Sequence, residues 1–117
     1  MKILRVYADE AGESHIEDME LEMLDNGAMG TVASAFRVKE AIFREIPPLA
    51  TADFHQAPLR QLAVNLDGLA EIEVSDGTVR QVKPGDVFLV EDTTGKGHLN
   101  RFLDDKAHSF LFLPLES

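Results

Sequence analysis

Apolar and polar residues alternate along this chain in short stretches separated by turn-forming residues, the pattern of a β-sandwich or barrel. Ile3 to Tyr7 predicts a first strand. His15 to Leu24 predicts a second, in which Met19, Leu21 and Met23 alternate with Glu20 and Glu22. A period of two sets the apolar side chains on one face and the glutamates in water. Asp25-Asn26-Gly27 then turns the chain.

Thr31 to Ile46 carries two signals. Val38, Ile42 and Ile46 recur at helical spacing, and Lys39, Glu40 and Ala41 favour a helix. Against this, Phe36, Val38, Ile42, Phe43 and Ile46 are β-branched or aromatic, and Pro47-Pro48 forces an extended exit. The reading is two short strands with a turn near Lys39-Glu40. The second half is plainer. Arg60 to Leu66 sets Leu62, Val64 and Leu66 on one face and Gln61, Ala63 and Asn65 on the other. Asp67-Gly68 and Asp76-Gly77 are hairpin signals on either side of a strand from Glu71 to Val74, and Thr78 to Val82 follows. Pro84-Gly85-Asp86 leads into Val87-Phe88-Leu89-Val90, a run expected to be buried on both faces. Strands from His98 to Phe102 and from Ser109 to Leu113 complete nine or ten, enough for a single all-β domain over residues 1–117.

Charge and composition narrow the partners. The net charge is −10, from 21 acidic and 11 basic side chains, so phosphate backbones and anionic lipid surfaces are repelled. No nucleic-acid or membrane partner is expected. Without cysteine there is no disulfide, thiolate metal site or cysteine nucleophile. The N-terminal residues lack an apolar stretch of signal-peptide length, and the expected location is cytoplasmic.

Two segments resemble the paired motifs of the cupin superfamily, whose members fold as a jelly-roll barrel, or double-stranded β-helix. In the first segment, His55 takes the first histidine position, Ala57 the second, Gln61 the glutamate position and Gly68 the closing glycine. The second opens at Gly85-Asp86-Val87-Phe88-Leu89-Val90, with Glu91 where the family has proline and His98 at its histidine after a lengthened loop. The likeness spans about residues 53–102, and the loop Asp92-Thr93-Thr94-Gly95-Lys96-Gly97 looks like that of small bacterial cupins. It implies a compact single-domain cupin.

The usual cupin site holds a divalent metal on three histidines and a glutamate. Here the matching positions supply His55, His98 and the neutral amide of Gln61, with Ala57 offering nothing. A transition metal wants imidazole nitrogen and at least one anionic oxygen. Asp92, Glu91 or His15 would have to complete the set, so a divalent metal is possible but not favoured. The expected ligand-binding pocket is instead polar and metal-free, formed by His55, Gln61, Asn65, Asp92 and His98. The glycines of the 92–97 loop read either as a lid over it or as a long turn. Ser14 and His15 are neighbours on a strand and face opposite sides, which argues against a nucleophile pair. His108 falls in an expected turn without a role.

Three functions fit this residue set. The leading expectation is a binder of a small polar molecule, working as a homodimer. The alternatives are a cupin-type enzyme using His55 and His98, either a metal-dependent oxygenase or a metal-free isomerase, and a structural dimer module with a vestigial pocket. Fold by itself does not decide among them.

Overall fold

The computed structural model describes all residues from Met1 to Ser117. Twelve strands form in chain order: β1 (Lys2–Ala8), β2 (Ser14–Glu20), β3 (Leu24–Asp25), β4 (Thr31–Val32), β5 (Ile42–Ile46), β6 (Thr51–His55), β7 (Gln61–Asp67), β8 (Ala70–Val74), β9 (Val79–Val82), β10 (Val87–Val90), β11 (His98–Phe102) and β12 (His108–Pro114). The only helical piece is a single 3-10 turn at Gly27–Met29. A six-stranded sheet runs β2-β1-β10-β7-β12-β5 and a four-stranded sheet runs β6-β11-β8-β9, while β3 and β4 make a small separate hairpin. No helix is long and apolar enough to cross a membrane.

The two larger sheets share one core. Val6, Ala63, Phe88, Val90 and Phe110 from the first meet Ala70, Ile72, Val74, Val82 and Phe102 from the second. Phe110 stands edge-on to Phe102 at 5.7 Å and to Phe88 at 6.4 Å. Burying each such ring is worth about 1.5–3 kcal/mol. The run Val87 to Val90 lies between β1 and β7, which pair both of its edges. The inter-sheet core covers Phe88 and Val90 on one face and the outer cluster covers Leu89 on the other, so all three are buried, as expected for a central strand. On the outer face of the larger sheet a second cluster joins Ile3, Leu89 and Leu115 to Met19, Leu21, Phe36 and Leu62. The segment after β2 therefore covers Leu62 within the same chain.

Three elements differ from the sequence reading. The second strand stops at Glu20 rather than Leu24: Leu21 N–H still bonds the carbonyl of Met1, but Leu24 turns away to pair with Val32 in the separate hairpin. Between Thr31 and Ile46 only β5 is a full strand. Its forerunner is a single bridge from Val38 to Leu115, where Lys39 N–H also bonds Pro114. Strand β6 was not foreseen, since Thr51 to His55 is an edge strand whose residues are exposed apart from half-buried Ala52. A strand with no buried face leaves no alternating apolar pattern to read.

Candidate functional site

A cavity of about 660 Å³ opens between the sheets. Strand β7 directs Gln61, Ala63 and Asn65 inward and Leu62, Val64 and Leu66 outward, and Gln61 reaches the cavity wall. His55 and His98 are direct cross-strand partners of β6 and β11, which puts their side chains on the same side of the smaller sheet. Their rings lie 4.6 Å apart between centroids, and both line the cavity.

Each imidazole has one nitrogen already committed. His55 Nδ1–H donates to the carbonyl of Asp53 at 2.7 Å. His98 Nδ1 is 2.6 Å from Oδ2 of Asp92, a carboxyl with no exposed surface whose other oxygen has no partner. Nε2 is thus the free ring atom of both histidines. Asp92 stands behind His98 and orients it rather than lining the cavity itself.

Asn65 has a different task. Its amide, fully buried, donates to the carbonyls of Gly68 at 2.8 Å and Val82 at 3.0 Å. It faces inward like Gln61, four residues further along β7, where the strand is closed by the next hairpin rather than by the cavity. The 92–97 loop is also absent from the cavity wall. Lys96 N–H bonds Gly12 O, Lys96 Nζ pairs with Glu13 at 2.6 Å, and Gln56 Nε2 donates to Gly95 O. These bonds lash the loop to the β1–β2 turn and to the residue after β6 as a structural turn, not a lid.

The cavity is less polar than the sequence reading expected. Phe88, Phe102, Phe110, Phe112, Ile42 and Ile46 form much of its wall. Its polar end is His55, Gln61, His98 and Asn100. Asn100 was missed, although the alternation His98, Asn100, Phe102 along β11 carries the signal. Arg44, on the inner side of β5, was missed as well. It is the cross-strand partner of buried Phe110, and its guanidinium lies 5.5 Å from the Phe112 ring centre.

The remaining candidate donors are engaged elsewhere. Glu91 binds Arg5 and Arg60; burial opposes its ionisation, but the two guanidinium bonds outweigh it and hold the carboxyl below the usual glutamate range. His15 sits between Asp9 at 2.7 Å and Asp76 at 2.8 Å, and these two hydrogen bonds raise its pKa above the ordinary histidine value. Ser14 instead turns inward to Ser75 and to Gly97 O. His108 is buried at the start of β12, with Nε2 at 3.0 Å from Leu69 O. Nowhere are three or more histidine or carboxylate groups arranged so as to hold a metal ion. Two imidazoles and a neutral amide, with Ala57 buried at the fourth position, do not fit the metal that cupins hold.

No family model and no curated protein matches the chain. Among solved structures it is similar to a cupin domain from Bordetella pertussis, at 15% identity and a TM-score of 0.53 over 71% of this chain and 93% of that one. It is similar also to the Cnp3 cupin domain of Schizosaccharomyces pombe, at 16% identity and 0.53, over 99% and 83% of the two chains. A third is Drosophila melanogaster CENP-C, crystallised bound to CAL1, at 12% identity and 0.53 over 79% and 74%.

Proposed function

The chain has the all-β cupin fold, and on that footing we propose that it is a small-molecule-binding protein whose ligand occupies the cavity between the sheets. One observation carries this: a cavity of about 660 Å³ with aromatic and aliphatic walls ends in polar side chains that keep free hydrogen-bonding atoms, one nitrogen on each imidazole and the amides of Gln61 and Asn100. Sites for small organic molecules have this build, an apolar enclosure with a few convergent polar groups and a volume of roughly 300–1,000 Å³. Nε2 of His55, Nε2 of His98 and the amides of Gln61 and Asn100 are the groups that would fix orientation. A cytoplasmic setting agrees with the cysteine-free, acidic composition.

The test is a thermal-shift screen of small metabolites on the purified chain, followed by calorimetry on His98→Ala. A ligand that raises the melting temperature and loses about fivefold or more in affinity in the variant supports the reading, since a lost hydrogen bond costs on the order of 1 kcal/mol and more with charge. If nothing binds, the cavity is vestigial and the fold serves as a dimer module. A second reading, proton transfer on the bound molecule without a metal, is favoured by Asp92, which holds His98 in the manner of an oriented general base. Exchange of a ligand C–H for solvent deuterium, abolished in Asp92→Asn, would establish it. A ligand that binds without exchange leaves the protein a binder.

A further inference from the structure

We propose that the ligand is an organic carboxylate, with its anionic end held by Arg44 and its apolar body laid against the phenylalanines of the cavity. The inference rests on the small-molecule reading above and names the ligand's chemistry.

Arg37 and Arg44 are the two arginines of this acidic chain without a carboxylate partner, and of the two only Arg44 lines the cavity. Arg5 pairs with Glu17 and Glu91, Arg60 with Glu91, Arg80 with Asp18, and Arg101 with Glu71 and Glu73. With 21 acidic side chains available, Arg44 has no carboxylate partner and no side-chain hydrogen bond within the chain. It is not placed at random either. Its cross-strand position opposite Phe110 points it to the inner side of β5, where it lines the cavity. The ring of Phe112 lies beneath its guanidinium at 5.5 Å, within cation–π range, and in turn stacks with Phe110 at 5.8 Å.

The chemistry of that arrangement is selective. A guanidinium presents a planar fork of donors that matches a carboxylate in two parallel hydrogen bonds, and stacking on an aromatic face fixes the plane of the fork. The aromatic floor continues from Phe112 through Phe110 to Phe88 and Phe102, so an apolar body attached to the carboxylate has a continuous surface to cover. No lysine lines the cavity, and Arg44 is its one arginine. Three glutamates also line it, Glu40, Glu45 and Glu71, the last already paired with Arg101. An ammonium group beside the Phe112 ring would still meet Arg44 as a like charge, and a neutral one would leave the fork unused.

Three probes of matched shape test this by calorimetry: phenylacetate, 2-phenylethanol and 2-phenylethylamine. Phenylacetate is expected to bind most tightly, by about tenfold over the alcohol (1.4 kcal/mol per tenfold), with the amine weakest. In Arg44→Gln that preference should disappear while affinity for the alcohol is kept; Arg44→Lys should restore part of it. Arg44 is exposed, so the variants leave the fold intact. If the amine or the alcohol binds as well as the carboxylate, the inference is overturned and the binding reading stands. Phenylacetate binding that is equal in Arg44→Gln removes Arg44 as its anchor. If none of the three binds and the metabolite screen is also empty, both readings fall together.

Discussion

Replacing Gly97 with alanine should be among the most damaging single-methyl changes in this protein, and it tests how the site is held. Gly97 precedes His98 and has φ +77, a left-handed conformation that costs an L-residue about 1–2 kcal/mol. A β-carbon there would also lie 2.1 Å from the carbonyl oxygen of His55 and 2.8 Å from Gln56 N, both backbone atoms that cannot rotate away. Overpacking of this kind adds roughly 1–3 kcal/mol. Alanine recovers about 0.4–1 kcal/mol by restricting the unfolded chain. The balance is a loss of about 1–4.5 kcal/mol, centred on roughly 3. Gly85→Ala is the control, because its φ is +91 but nothing lies within 4 Å of the added carbon. It should lose only about 1 kcal/mol, the backbone cost less the entropy gain. Urea denaturation by linear extrapolation measures both. If Gly97→Ala costs no more than Gly85→Ala, the chain does not pass His55 as closely as described, and the contact between the two histidine strands is wrong.

Asn65→Ala should destabilise by about 2–3 kcal/mol, since it strips partners from the buried carbonyls of Gly68 and Val82; a loss under about 0.5 kcal/mol in the same denaturation assay would contradict its role. The Asp9–His15–Asp76 contact should make stability depend on pH. The folded pKa of His15 is raised, so its contribution is complete below the ordinary value of about 6.5 and is lost as pH rises through the raised value. Over that window His15→Gln should flatten the fall in stability seen in the parent chain, and an identical slope in both would refute the assignment. We also propose a homodimer formed through the outer face of the larger sheet, where Phe43 is 74% exposed beside Leu111 and Leu66 is 45% exposed. Sedimentation at tens of micromolar should give about twice 12.9 kDa, reverting to 12.9 kDa in Phe43→Asp; a 12.9 kDa species in the parent chain would count against it.

Much of this architecture was legible in the sequence, for a definite reason. Strands β7 to β10 alternate cleanly or form a short apolar run, and they are joined at Asp67-Gly68, Asp76-Gly77 and Pro84-Gly85-Asp86, where glycine supplies positive φ. The alternation Gln61, Ala63, Asn65 correctly oriented those side chains inward, but alternation has no reach along the strand. It could not separate Gln61 at the cavity from Asn65 under the next hairpin. Asp92 was legible as a neighbour of the site, but its place behind His98 depends on how the 92–97 loop is tied to the β1–β2 turn, a contact remote in sequence. Arg44 was hidden because the stretch from Thr31 to Ile46 carries both helical and strand signals. Only pairing of β5 with β12 decides which side Arg44 faces.

A common site between the sheets is tested most directly by one measurement, the imidazole resonances of the four histidines followed by NMR as a saturating ligand from the metabolite screen is added. His55 and His98 should shift together along a single binding curve, because both side chains line the cavity. His15, held outside between two carboxylates, should stay still. Movement of His15 alone, or of His55 without His98, would contradict a common site between the sheets.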